Sequence, residues 1–499
     1  MSKRRVFIIN FISSLTTQVV ALVLGLIIPR IILNNYGSDT NGLISTVSQI
    51  FSYLALLEAG ISTSARNAMY RPMSNNDREE VSRIVSISRR TFRRIAYIYL
   101  AAVFLLAFIV PLILKSNVNY WTIFGVVIFE GLTNVVSFYF ISVWSTVLFV
   151  GGKSYVNNII LLISNVLCYS IKILLVSLSA NIVLIQIGFF IVSLGKVVLY
   201  YLYFKKHYPW INYKSANKKE RLPDRTAYII TEVAWTVFSS TDLIVIGIFL
   251  STSHSSIYAV YNMVILALNG ILNAAYGGIS YCLGIAFAEN KEKYTKIHDM
   301  FNSFFMSAIT ILMSVSYLLL IPFVELYTNG ITDINYIYEW LPLLFCLVPI
   351  LSWSRYVAGN LSGIGGFAKQ TGVVSLIEAA INVVLSIILV NFIGLYGVLI
   401  ATVVALPIKV VWLNWIADCK ILKRSPKRTV LILLSNYAIF ACCIIFKVFY
   451  GEFNINSWLE LVFYGFVLTF VISIVVISVN MVINKNMFGL LKIKRKINE

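Results

Sequence analysis

Charge is scarce in this sequence. Only 12% of its residues are Asp, Glu, Lys or Arg and 59% are hydrophobic, whereas a soluble domain carries roughly 25% charged residues. With a mean hydropathy of +0.84, the chain has too little polar surface to coat a soluble protein of its size. Apolar runs such as LLISNVLCYSIKILLVSL (161–178) and VFYGFVLTFVISIVVISV (462–479) approach the ~20 residues a helix needs to cross a bilayer. They are too long for barrel strands, so the spans are helices that satisfy their own backbone hydrogen bonds.

Histidine occurs three times, as His207, His254 and His298, each in or beside a predicted loop, and reads as a solvated loop residue. No HExxH, DxD or GxSxG occurs. The six cysteines (Cys168, Cys282, Cys346, Cys419, Cys442 and Cys443) lie in apolar stretches or at their ends, with no CxxC, and read as packing residues. These absences argue against an enzyme: no catalytic residue, metal site or cofactor is expected. The N-terminus begins like a signal peptide, but its apolar run continues to about Leu33 without a clear cleavage site, so it reads as an uncleaved first span.

Fourteen spans are expected: 6–33, 42–65, 92–114, 119–150, 155–179, 181–204, 226–250, 256–287, 300–327, 335–358, 370–391, 394–417, 429–450 and 457–483. Of the 40 Lys and Arg residues, 33 fall in the termini and on alternate loops, all on one side of this arrangement. The other connections, NNYGSDTN (34–41) among them, carry none. The excess of positive charge on cytoplasmic loops therefore predicts that both termini are cytoplasmic. Topology accounts for the net charge of +19, and no nucleic-acid partner is expected. The basic stretch ISRRTFRRIAY (87–97) reads as a juxtamembrane stop signal or as a site for acidic lipid headgroups.

An internal repeat organises the chain. SNNDREEVSRI (74–84) resembles FAENKEKYTKI (287–297), and Pro111 answers Pro322. VGGKSYVNNII matches IGGFAKQTGVV, with Gly151 and Gly365 offset by 214, and Lys196 answers Lys409 at an offset of 213. Spans one to six and seven to twelve are thus two copies of one bundle. An even number of spans gives both copies the same orientation. The fold class is an all-α integral membrane protein: about fourteen transmembrane helices in two parallel six-helix repeats, plus two extra C-terminal helices. The expected domains are a bundle at 1–204, a cytoplasmic linker at 205–225, a bundle at 226–418, and two extra helices with a basic tail at 419–499.

The repeat also disposes of a nucleotide motif. Gly151-Gly152-Lys153-Ser154 looks like the end of a phosphate-cradling loop, but Val147 stands where the first glycine is needed and the twin reads GGFAK. GGKS is a tight turn between spans four and five.

Ionisable residues inside spans are costly, and each is a candidate functional residue. Lys172, Lys196, Arg355 and Lys409 are embedded, and Arg30 follows Pro29 about one turn from the outer face. All five are candidate substrate-binding bases of a cavity, although snorkelling competes for Arg30. Lys115 and Lys447 sit near outer helix ends and read as snorkelling residues. Glu58, Glu130, Glu232, Asp242 and Glu378 are the embedded acids. Glu58, Asp242 and Glu378 are candidates for ion coupling or for structural charge pairing. Several bases with some acids suit an anionic cargo such as a diphosphate.

The stretch GLIIPRIILNNYGSDTNGLISTVSQIFSYLALLEAGISTSARNAMYRPM (25–73) resembles the opening of the polysaccharide repeat-unit flippases. These are the Wzx-type members of the superfamily that also holds multidrug extruders (MATE transporters) and lipid II flippases. The shared features are a Gly-x3-Pro in span one, Tyr-Gly before a short outer loop, Gly-Leu opening span two, and LLEAGIS followed by AMYRPM. The resemblance implies a MATE-like fold, and a cargo of undecaprenyl-diphosphate-linked oligosaccharide moved to the outer leaflet of a bacterial cytoplasmic membrane. The implied partners are that lipid-linked oligosaccharide diphosphate, membrane lipids, and the polymerase and other proteins of surface-polysaccharide assembly (capsule or O-antigen). A lipid II flippase and a cation-coupled multidrug extruder remain alternatives. A membrane polymerase or ligase of the same pathway needs a larger outer loop than any predicted here.

Overall fold

The computed structural model describes residues 3–213, 215, 216, 220, 241–289 and 291–484. They form fourteen α-helices, a further helical run at 241–249 and two π-helical turns, with no strand among the described residues. In order, these are α1 (Lys3–Ser74), α2 (Arg78–Ile113), α3 (Tyr120–Val136), a π turn at Ser137–Ile141, α4 (Ser142–Val150), α5 (Ser154–Ser177) and α6 (Ile182–His207). Then come α7 (Thr252–Glu289), α8 (Lys291–Thr328), α9 (Leu341–Trp353), α10 (Tyr356–Ile364), α11 (Ala368–Ile393), α12 (Leu395–Trp415), a second π turn at Ile416–Ile421, α13 (Lys427–Tyr450) and α14 (Trp458–Ile483).

Twelve described segments are long and apolar enough to cross a membrane, and the chain is a multi-pass membrane protein. The difference from fourteen has two sources. Ile12–Tyr53 is one continuous candidate that holds the first predicted span and part of the second, and the seventh predicted span lies largely outside the described residues. α1 is broken at Gly37, whose φ of 79° favours a residue without Cβ. Asn10 donates to the carbonyl of Gly152 at 3.0 Å, and the Arg66 guanidinium lies 4.7 Å from the Phe149 ring. Both arms of α1 therefore return to the same end, and α1 is a hairpin of two spans. The eight-residue loop expected at 34–41 is replaced by a single broken residue, because Asn34 to Tyr36 and the residues after Gly37 continue the helical hydrogen bonding.

Several helices outrun the bilayer. α2 begins at Arg78, well before the expected start at 92, so part of the expected basic loop is helix. Local chemistry explains the extension. Asp77 caps the helix by accepting from the Glu80 amide at 3.0 Å, and Glu79 and Glu80 sit at the positive end of its dipole. Val81, Val85 and Phe92 are buried in an apolar cluster with Met69, Val147 and Phe204, which holds the extension in place.

By internal contacts the chain divides into two units, Met1–Ser256 and Ile257–Glu499. The repeat is visible in each as the same turn. Gly151 and Gly365 end their helices with N–H bonds to the carbonyls of Val147 and Leu361. Gly152 and Gly366 then take positive φ, 68° and 86°, and Lys153 and Phe367 donate five residues back to Leu148 and Ser362. The GGKS sequence is thus a helix-ending glycine turn.

In the second unit α13 and α14 pack on α8. Ser303, Ser307, Thr310 and Ser314, all buried, recur along α8 at spacings of three and four, the small-residue pattern that lets membrane helices approach closely. Asn436 of α13 donates to Asn480 of α14 at 3.0 Å. Near one end of α8, Asn484 donates to the carbonyl of Asp299 and to Ser303, both at 3.0 Å.

Candidate functional site

In the second unit the chain brings three embedded charges together. Between α9 and α10 the helix is interrupted at Ser354 and Arg355. Asn414 of α12 answers the break by donating to the Ser354 carbonyl at 3.0 Å, as buried backbone polar groups in a membrane demand. Arg355, at the break, pairs through Nη1 with Oε1 of Glu378 on α11. Lys409 of α12 approaches Oε2 of the same carboxylate at 3.6 Å. Arg355 is 3% exposed, Glu378 1% and Lys409 12%. Two cations thus share this one carboxylate.

The surroundings are polar and aromatic. Trp353 and Tyr356, on either side of the break, stack with ring centroids 4.0 Å apart. The Trp353 indole donates to Asn269 at 2.9 Å, and Tyr276 donates to the Tyr356 carbonyl at 3.2 Å. Ser354 bonds Tyr437 of α13 at 2.7 Å, and Asn382, one turn along α11 from Glu378, donates to Thr402 at 2.8 Å. Discontinuous helices of this kind line ligand sites in membrane carriers.

The first unit arranges its charges differently. Lys172 of α5 is buried with its ammonium 4.1 Å from the Phe189 ring centroid, on α6. Glu130 of α3 acts on Lys172 through space, while its carboxylate accepts from Ser48 at 3.2 Å. Lys196, half-buried on α6, and Lys172 both act on Cys168, so the two lysines share one neighbourhood. Arg30 is half-buried on α1 beside Pro29. Asp242 is buried in helical residues 241–249, near Tyr53, whose hydroxyl bonds Thr241 at 2.5 Å. Glu58 falls on α1 where side chains lie outside the described residues, and Glu232 lies outside them altogether. Of the expected residues, then, Arg355, Glu378 and Lys409 meet, Lys172 and Lys196 neighbour each other, and Arg30 and Asp242 stand elsewhere in the first unit.

Two of the histidines depart from the expectation. His254 lies half-buried in the first turn of α7, its ring 2.7 Å from the Ser251 hydroxyl. His298 is not a solvated loop residue: it lies inside α8, 1% exposed, beside Asp299, because α8 starts nine residues earlier than its expected span. Asp299 also receives Arg424 in two bonds, 2.6 and 2.9 Å, while Arg424 donates to Asp418 at 2.7 Å. Burial works against the Arg424 charge, but the bonds and charges of Asp299 and Asp418 outweigh it and raise its pKa. This network ties the connection before α13 to α8.

Two arrangements went unread in the sequence. The helix break at Ser354 carries no proline or glycine at the break itself. Asp39, the acid of the NNYGSDTN segment, accepts from Ser116 at 2.9 Å, the Asn117 amide at 2.7 Å, Ser253 at 3.3 Å and Thr252. Lys115 and Lys447 both find partners near helix ends: Lys115 donates to the Phe249 carbonyl at 2.6 Å, and Lys447 meets Glu452 at 2.9 Å. Among the described residues, no three His, Cys, Asp or Glu side chains gather to hold a metal ion.

No family model matches the chain, and no curated protein matches it in sequence. Its fold does match solved structures. One is the lipid II flippase MurJ in an inward closed conformation, with a TM-score of 0.66 and 16% identity over 93% of this chain and 98% of that one. A second is an inward-facing multidrug resistance MATE family transporter of the MOP superfamily, with a TM-score of 0.62 and 14% identity over 82% and 98%. The MATE multidrug transporter DinF-BH, solved as a complex, gives 0.58 and 16% over 85% and 96%. These likenesses establish the MATE-type fold.

Proposed function

We propose that the chain is a flippase that moves an undecaprenyl-diphosphate-linked oligosaccharide from the inner to the outer leaflet of a bacterial cytoplasmic membrane, by alternating access, for surface polysaccharide assembly. The observation that carries this reading is the buried Arg355–Glu378–Lys409 group. It gathers a guanidinium and an ammonium at a break in a membrane helix, and those are groups that pair well with the oxygens of a diphosphate. In the first unit Lys172 and Lys196, which neighbour each other, and Arg30 are assigned to the same cargo. Glu58 and Asp242 are left to ion coupling or charge pairing. The resemblance of residues 25–73 to the repeat-unit flippases supports the cargo class, and the MATE-type fold supports carriage rather than catalysis. Alternating access would come from motion of the two repeats, 1–204 and 226–418, and both termini would be cytoplasmic.

The test separates cargo binding from structural pairing. Replacing a whole buried ion group by apolar residues of similar size is often neutral or stabilising, so R355M/E378L/K409M should insert and melt like the unmodified chain. Export of the glycan in cells lacking the native flippase should nevertheless fall at least a hundredfold. Full export by a stably inserted triple variant would assign the group to structure alone. Thiol labelling of the 205–225 segment from the inner side checks the orientation. If the triple variant stopped drug efflux instead, with glycan export intact, the multidrug reading would replace this one. Loss of peptidoglycan precursor export alone would favour lipid II.

A further inference from the structure

The basic stretch at 87–97 takes no part in that reading, yet it borders a built cavity. At one end of the first unit α2, α4, α6 and residues 208–213 border an open cavity of about 640 Å³. Its charged lining residues are Arg89 and Lys205, and among the described residues no carboxylate lines it. Residues 212 and 213 are strapped onto α2: Ser86 donates to the Tyr213 carbonyl at 2.9 Å, and the Asn212 amide to Ser82 at 3.3 Å. The Tyr213 ring then carries the Arg89 guanidinium at 4.3 Å, while its hydroxyl accepts from the Trp144 indole at 3.1 Å. One turn along α2, Arg93 lies 4.5 Å from the Tyr139 ring. Neither arginine forms an ion pair among the described residues. Aromatic faces hold both cations without cancelling their charge.

A second hollow, about 370 Å³, shares Phe140 with the first. Tyr97, Leu100, Val135 and Tyr139 line it, with almost no polar surface. Tyr97 and Leu100 lie eight and eleven residues beyond Arg89, about 12–17 Å farther along α2. α3 and its π turn run the opposite way and agree: Val135 lies at the deep end of the hollow, and Trp144 lines the charged cavity. The cations thus line the first cavity, and the apolar hollow lies farther along α2, toward the middle of the span. Tyr97, Tyr201 and Phe140 are 61%, 52% and 41% exposed along this path, so it opens on an apolar surface.

We infer that this paired cavity binds an anionic glycerophospholipid, its phosphate on Arg89 and Lys205 and an acyl chain in the hollow beyond Phe140. Charge complementarity selects the head, since among the described residues the cavity offers cations and no acid to an ammonium group. The apolar hollow selects a lipid over a free phosphate. The site uses no residue assigned to the cargo.

Native mass spectrometry of the detergent-solubilised full chain, titrated with phosphatidylglycerol, phosphatidylcholine or inorganic phosphate, tests the assignment. Phosphatidylglycerol should be retained at least tenfold more tightly than phosphatidylcholine. R89Q/K205Q should abolish that preference and R89K/K205R should keep it. Inorganic phosphate displacing the lipid at equal concentration would show a free-anion site and overturn the inference, as would wild-type retention by R89Q/K205Q. A measurement on unmodified side chains guards against misfolding. In vesicles, quenching by brominated lipid that is lost in W144F should reach half-maximum at a fivefold lower mole fraction of brominated phosphatidylglycerol than of brominated phosphatidylcholine. Equal fractions would also overturn it.

Discussion

In the second unit a single carboxylate, Glu378, draws Arg355 and Lys409 onto itself inside the membrane. In the first, Lys172 lies on the Phe189 ring, and Arg66, Arg89 and Arg93 lie on Phe149, Tyr213 and Tyr139. Both arrangements let cations survive away from bulk water, with opposite consequences. A carboxylate cancels one unit of charge and locks geometry, so its removal strands its partners. An aromatic face supports a cation by roughly 0.5–2 kcal/mol and leaves its full charge available to an anion. The same elementary problem, a base in an apolar setting, is thus solved rigidly at Glu378 and openly at Phe189, Tyr213 and Tyr139.

The sharpest way to break this comparison is to remove one member from each unit. E378Q should cost about 3–5 kcal/mol, because breaking a buried pair leaves uncompensated charge, and should show as a large drop in melting temperature and in membrane-inserted protein. K172M should change stability by less than about 1 kcal/mol, since the lost ring contact is offset by the relief of burying an ammonium. Equal losses in the two variants would mean that Lys172 is paired as firmly as Arg355.

A smaller effect is expected where Asp39 ties the α1 turn to residues 116 and 117 and to the start of α7. Hydrogen bonds to charged groups contribute about 1.5–3 kcal/mol, and D39N weakens them while keeping the shape. Disulfide formation between S38C and S253C, in a background lacking native cysteines, should fall severalfold in D39N. Unchanged cross-linking would show that the close approach of Gly42 to Thr252, rather than Asp39, holds this contact.

The smallest effect concerns the part the two units share. G152A and G366A each force an alanine to positive φ, at about 1–2 kcal/mol. Their melting shifts should agree, because the turns make the same hydrogen bonds. A clear disparity would mean that the twin turns have diverged in load.

How much of this was legible beforehand follows the range of the forces involved. Apolar run length and the offset of Gly151 from Gly365 are properties of consecutive residues, and they set the spans and the repeat. The extended start of α2 was written locally too, in Asp77 and Glu80, but the basic residues beyond it read as loop. The depth of Lys409 and Arg355 marked them as costly, because a lysine stem reaches only part of the way to water. Which acid would meet them was not written there, since partners on different helices depend on how each helix is rotated about its axis. Length and composition leave that rotation free, and packing decides it. The sequence by itself thus determined that these charges lie within the membrane and that two copies of one bundle carry them. Only the tertiary structure decided that Glu378 takes two cations while Lys172 rests on an aromatic ring, because side chains distant in sequence become neighbours only through the close approach of whole helices.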